Sequence, residues 1–203
     1  MLKIGVIASG RGSNFQSIID GIKEGDIDAR IVVMVTDNPE AKAIERAEKN
    51  GIPVEVVERK KFANKNEMDA RTAEILKQHG AELVVLAGYM RIVTKNLLEP
   101  FKWRMVNIHP ALLPSFPGLH AQEQAFKHGA KVSGCTVHFV DEGTDTGPII
   151  EQTAVYIGDC KSADEVSERI LPYEHKLMRK IVGDFCKGKF IIEGRRVKYE
   201  PGT

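Results

Sequence analysis

Three stretches of this chain combine residue types that could do chemistry: Gly10-Arg11-Gly12-Ser13-Asn14, Asn107-Ile108-His109, and the polar loop Asp141-Glu142-Gly143-Thr144-Asp145-Thr146-Gly147-Pro148. A glycine loop running into a helix exposes backbone N–H groups beside the positive end of the helix dipole, and a phosphate is the natural guest. Phe15 stands where a dinucleotide fingerprint needs its third glycine, and no Gly-Lys-Ser/Thr follows, so neither that pattern nor a P-loop is met. A plainer reading is a capping box between Ser13 and Gln16, which can coexist with anion binding. Asn107 and His109 alternate with Val106 and Ile108, so a strand there sends an amide and an imidazole out on one face. Most Asp- and Gly-rich loops are solvated turns, and the 141–145 run lacks the ligand spacing of an EF-hand. A carboxylate from it that reached His109 would raise the imidazole pKa and fix its tautomer.

The elements that must position these residues alternate strand with helix. Leu2 to Ala8 reads as a strand, and Phe15, Ile18, Ile19 and Ile22 fall at helical spacing. Arg30 to Thr36 is a second strand, followed by a helix capped at Asn38 with Pro39 in its first turn and stopped at Gly51. Pro53 to Val57, a helix through Met68, Thr72, Ile75 and Leu76, and Glu82 to Ala87 continue the pattern. A short helix from about Thr94 leads to a fifth strand, Trp103 to Ile108, and a proline-punctuated loop from Pro110 to Gly118 in which Leu113–Pro114 is a candidate cis bond. Lys131 to Val140 and Pro148 to Tyr156 read as strands. Ser162 and Glu165 open a long helix that Pro172 is expected to kink, and Glu193-Gly194 turns a terminal hairpin. The expected fold is α/β, an open Rossmann-like, mostly parallel sheet with helices on both faces and antiparallel C-terminal strands.

Composition narrows the function. The chain has 203 residues, 42% hydrophobic and 28% charged, which suits one domain over residues 1–203. A net charge of +1 offers no general field for nucleic acid or an anionic membrane. The longest apolar run, about Leu83 to Met90, is too short to span a bilayer, no cleavable leader is evident, and a cytoplasmic protein is expected. Cys135, Cys160 and Cys186 are odd in number and lack a C-x-x-C pair, so neither a disulfide framework nor a structural metal is expected.

Taken together, Ala8 to Asn14, Leu86-Ala87-Gly88-Tyr89-Met90-Arg91-Ile92, Asn107 to Pro114 and Asp145-Thr146-Gly147-Pro148-Ile149-Ile150 resemble the phosphoribosylglycinamide formyltransferase family of purine synthesis. The resemblance runs in order from Lys3 to about the end of the long helix. It implies formyl transfer from the co-substrate 10-formyltetrahydrofolate to the amine of 5'-phosphoribosylglycinamide, without a metal, by a monomer or homodimer. It further implies that Gly12, Ser13 and Asn14 bind the phosphate and that Leu171, Pro172, Tyr173 and Glu174 contact the ribonucleotide. By the same resemblance, Lys65, Met90, Arg91, Ile92, Val93, Asn107, Asp141, Glu142, Gly143, Thr144 and Asp145 bind folate, and Asn107, His109 and Asp145 are catalytic. The N-terminal half would then serve nucleotide phosphate, and the C-terminal half folate and catalysis. In that family Lys65 stands where an arginine occurs, and Gln122 replaces a histidine of some members. Asn107 and a protonated His109, its charge favoured by Asp145, are the expected oxyanion donors.

Three other readings compete. A formyltetrahydrofolate hydrolase resembles this core but carries a regulatory domain ahead of it, whereas the first strand here begins at Leu2. A methionyl-tRNA formyltransferase needs a basic C-terminal domain. A nucleotide sensor would use Asp37 to hold a ribose, leaving Asn107 and His109 unexplained.

Overall fold

The computed structural model describes residues 1–202, which group into two compact units, Met1–Val106 and Asn107 onward. In the first unit, β1 (Leu2–Ile7), α1 (Ser13–Lys23), β2 (Ala29–Thr36), α2 (Lys42–Lys49), β3 (Val54–Val56), α3 (Lys65–Gln78), β4 (Leu83–Leu86) and α4 (Lys95–Leu98) follow one another. β5 (Met105–His109) crosses the boundary. α5 (Ala121–Lys127), β6 (Val132–Phe139), β7 (Ile149–Tyr156), α6 (Ala163–Lys187), β8 (Gly188–Glu193) and β9 (Arg196–Pro201) complete the chain. Hydrogen bonding orders the main sheet β3-β2-β1-β4-β5-β6-β7, while β8 and β9 form a separate antiparallel pair. β1 pairs parallel with β2 and β4, β2 pairs parallel with β3, and β6 pairs antiparallel with β7. This is the expected α/β class with its antiparallel C-terminal strands.

Apolar runs make the inner strands: Ile4, Val6, Val33, Met34, Val84 and Val85 are fully buried, as strands covered on both faces require. Strand order reverses between β1 and β4, so the loops leaving their carboxyl ends frame a topological switch point, where open α/β sheets bind ligands. Those two loops touch. Ser9 N–H donates to Gly88 O at 3.2 Å, and Met90 N–H lies 3.4 Å from Ser9 Oγ.

Local capping departs from the expectation in two places. Asn38 does not cap α2; its Oδ1 accepts from Glu40 N and its carbonyl from Ala41 N, closing a turn that delays the helix to Lys42. Asn in front of Pro satisfies that turn as readily as a helix start. Nor do Ser13 and Gln16 form a capping box, because α1 begins at Ser13 itself with Gly12 at the N-cap, and Gln16 instead binds Asp20 and Arg46. The Ser162 cap is formed, accepting from Glu165 N at 3.1 Å. α6 runs from Ala163 to Lys187 with Pro172 inside it, and Leu113–Pro114 is cis.

Candidate active site

The glycine loop is shaped by contacts with α2. Gly12 has φ +66, the left-handed region, and a Cβ there would sit 2.9 Å from Ala43 Cβ and 3.1 Å from Ala43 Cα. Only glycine meets both demands. The Gly10 carbonyl accepts from Ala43 N and the Arg11 carbonyl from Arg46 Nε, so both are turned toward α2. The first intrahelical bond of α1 is Gln16 N–H to Gly12 O, which leaves the Ser13 and Phe15 N–H groups with no acceptor inside the helix. Gly12→Ala is expected to cost about 2–4 kcal/mol from the strained dihedral and the overlap together, read as a lowered denaturant midpoint at unchanged slope.

The loop after β4 carries four of the folate expectations. Met90 and Ile92 are largely exposed and Val93 is buried. Arg91 Nε donates to Asp37 Oδ2 at 2.5 Å, and the Asp37 carboxylate raises the guanidinium pKa against the pull of partial burial. Asp37 is therefore already engaged by Arg91, which works against its serving as a ribose anchor. Burial pushes the Tyr89 hydroxyl up, reinforced by Asp69 and Asp37. Lys65 opens α3 behind an Asn64 cap; partial burial lowers its pKa, Arg91 adds to this, and Asp69 opposes it.

In the second unit the structure brings Asn107, His109 and Asp145 together. Asp145, at φ +54, places Oδ2 at 2.8 Å from Gly118 N–H and 3.3 Å from His109 Nδ1. Its Oδ1 lies 3.5 Å from both Asn107 Nδ2 and His138 Nε2. Burial alone would raise the Asp145 pKa, but the His138 contact, the Gly118 N–H and the His109 charge interaction hold it below the ordinary carboxylate range. His109 Nε2 is 2.8 Å from the Phe116 carbonyl, which can only accept, so Nε2 carries a proton.

One expectation about His109 meets an opposing effect. Burial lowers its pKa, and this outweighs the upward pulls of Asp145 and the Phe116 carbonyl, with His138 adding to the fall. Burial thus favours the neutral resting ring, against acceptors at both nitrogens that favour the imidazolium. Asp145 pulls in the anticipated direction, but the ring is only 4% exposed, and desolvation of the charged form is the larger effect.

His138 is the site residue that sequence reasoning missed. It is 2% exposed, its Nδ1 faces the Phe139 carbonyl at 2.8 Å, and its Nε2 lies 3.2 Å from Asn107 Nδ2. The signal was alternation in β6: Thr136 and His138 are polar positions on one face of an otherwise apolar strand. Thr136 Oγ1 donates to Ala111 O at 2.7 Å and accepts from Leu113 N and Gln152 Nε2, tying the proline loop down. Thr136→Val leaves buried partners unsatisfied, and a loss of about 2–4 kcal/mol is expected in reversible denaturation.

The remaining expected residues are placed as follows. Asn14 is buried in the first turn of α1, its carbonyl accepting from Ser17 Oγ. Leu171, Pro172, Tyr173 and Glu174 lie within α6, with Tyr173 exposed and Glu174 buried. Asp141 Oδ1 accepts from Gly143 N and Thr146 Oγ1, while Glu142, Gly143 and Thr144 are exposed. The cysteines are free, and burial pushes the Cys135 thiol up to about 12. Among the described residues no group of three or more His, Cys, Asp and Glu could hold a metal ion, and no helix is long and apolar enough to cross a membrane.

An amide, a neutral imidazole and a depressed carboxylate, sequestered at the carboxyl end of a strand in an α/β sheet, equip a protein for transfer of an acyl-type group. Residues 2–182 match the family described as Formyl transferase, and the chain belongs to that family. It is 47% identical over 176 residues to a phosphoribosylglycinamide formyltransferase of Bacillus subtilis, spanning 87% of this chain and 90% of that one. It is 40% identical to a trifunctional purine biosynthetic protein, adenosine-3, of Drosophila melanogaster, covering 94% of this chain but 14% of that much longer one. A crystal structure of glycinamide ribonucleotide transformylase 1 from Symbiobacterium toebii superposes with a TM-score of 0.96 at 45% identity, covering 98% of this chain and 94% of that one.

Proposed function

We propose that this protein transfers a formyl group from 10-formyltetrahydrofolate to the amine of 5'-phosphoribosylglycinamide, a step of purine biosynthesis. The observation that carries the reading is the convergence of Asn107, His109 and His138 on the Asp145 carboxylate in a member of the formyl transferase family. The amine nitrogen attacks the formyl carbon and an oxyanion develops. Asn107 donates to that oxygen, exchanging its 3.5 Å contact with Asp145 for a shorter, charge-assisted bond. Neutral His109 takes the proton that the attacking amine sheds and delivers it to the departing folate nitrogen. Between those steps it is an imidazolium, which Asp145 stabilises by charge. The carbon–nitrogen bond to glycinamide forms first, the bond to folate breaks when the tetrahedral oxyanion collapses, and one proton passes from amine to folate overall.

In this reading Gly12, Ser13 and Asn14 hold the ribonucleotide phosphate, and Leu171 to Glu174 hold its ribose side. Lys65, Met90 to Val93 and Asp141 to Asp145 hold the folate, with Lys65 offering the tail a point charge in place of an arginine fork. Residues 1–203 act as a single formyltransferase domain, with phosphate binding in the N-terminal half and catalysis in the C-terminal half. The enzyme of this reading is cytoplasmic and monomeric or homodimeric, and its near-neutral net charge supports the lack of a nucleic acid or membrane partner.

The test supplies 10-formyltetrahydrofolate with and without the ribonucleotide and follows deformylated folate. Release that requires the ribonucleotide supports the transferase. Release without it favours a hydrolase, and no release in either overturns the reading.

A further inference from the structure

The terminal hairpin β8–β9 has no part in the chemistry above, yet it grips the loop that carries Asp145 at both ends. At the base, Phe190 packs edge-on against Phe139 with ring centroids 6.4 Å apart and lies tilted against Tyr199 at 5.3 Å and Phe185 at 4.6 Å. Phe139 is the last residue of β6, and its N–H donates to Pro148 O, closing the neck of the 140–147 loop. At the hairpin tip, Arg195 Nη2 donates to the Thr146 carbonyl at 2.9 Å. Thr146 directly follows Asp145, whose left-handed backbone is unfavourable for a residue with a side chain and must be held by its surroundings. The loop is also tight inside: Thr146 Oγ1 bonds Asp141, and a Cβ on Gly143 would lie 2.0 Å from that hydroxyl. A carbonyl pinned from outside and a hydroxyl pinned from inside leave Thr146 little freedom to rotate, and Asp145 inherits that constraint.

We propose that Arg195 is a positioning residue for the reaction, acting through Thr146 to hold the Asp145 carboxylate against His109 and Gly118. The formyltransferase reading gives it no substrate to hold. Its exposed hydrogen bond contributes little to global stability, so its effect falls on geometry, where a displacement of about 1 Å can cost up to roughly 100-fold in rate. The inference rests on the formyltransferase reading for its kinetic consequence, while its structural consequence stands apart from it.

Arg195→Ala and Arg195→Lys test it in the full chain. Amide hydrogen exchange across residues 141–147 is expected to quicken in Arg195→Ala with the rest of the protein unchanged. Formyl-transfer kcat should fall by about tenfold while KM for phosphoribosylglycinamide stays put, and Arg195→Lys, which keeps a donor, should recover much of the rate. Unaltered exchange in the loop overturns the proposal, and so does faster exchange with parental kcat. Should the parent enzyme release no formyl group, the formyltransferase reading fails, and the exchange measurement alone decides whether Arg195 holds the loop.

Discussion

Asn107→Ala is expected to lower kcat by about 100- to 1,000-fold, and His109→Ala by at least as much, with little change in KM for either substrate. The amide sits between His138 Nε2 and Asp145 Oδ1, so its place is set before substrate arrives, and turning to the oxyanion requires it to give up only the long 3.5 Å contact with Asp145. Donors fixed in this way lower the barrier more than mobile ones. Alanine at 107 removes the donor and also leaves His138 without that contact, so a melting curve must accompany the kinetics. Asn107→Asp is the sharper variant: it keeps the volume, abolishes the donor, and adds a second carboxylate beside Asp145. It should be as damaged as alanine at pH 7. Near-parental turnover in both Asn107→Ala and His109→Ala would remove these residues from the mechanism.

Most elements and their order were legible because apolar runs and helical spacing are local signals, and β1 through β9 fall within a few residues of where those signals put them, whereas the short helix α5 was not anticipated. Asn38 was misread because Asn-Pro satisfies a turn and a helix start equally well in one dimension; the choice depends on where α2 docks. Asn107, His109 and Asp145 were legible as chemistry-bearing types near strand ends. His138 was not, because a histidine inside an apolar strand gains meaning only when the neighbouring strand brings Asn107 to it. The protonation state of His109 was also beyond the sequence. Asp145 is a visible partner, but the desolvation that opposes it comes from tertiary packing that leaves the ring 4% exposed. The grip of Arg195 depends likewise on a hairpin whose existence is readable from Glu193-Gly194 and whose docking is not.

Asp145→Asn carries the other large effect, a fall in kcat of about 100- to 10,000-fold, because asparagine can still accept from Gly118 N–H but cannot offset a charge on His109. The pH dependence gives the decisive sign. In the parent, His109 must be neutral to accept the amine proton, so kcat/KM falls on the acid side as His109 protonates, at a pH below the ordinary 6.5 because burial lowers its pKa. Asp145 is among the groups that raise that pKa. Removing its charge lets burial act less opposed, and the acid limb of Asp145→Asn should move to still lower pH. A limb that moves to higher pH would mean that His109 and Asp145 do not interact in solution as they do here. Stability follows the same linkage. The parent should lose stability as pH falls below about 6.5, where the unfolded chain's histidine binds a proton that buried His109 resists. It should lose more below about 3.8, where Asp145 in the unfolded chain protonates before its folded counterpart. Asp145→Asn should deepen the first loss and abolish its share of the second. Denaturation midpoints across pH 3 to 8 for both proteins would therefore report, without any substrate, whether the carboxylate and the imidazole are coupled.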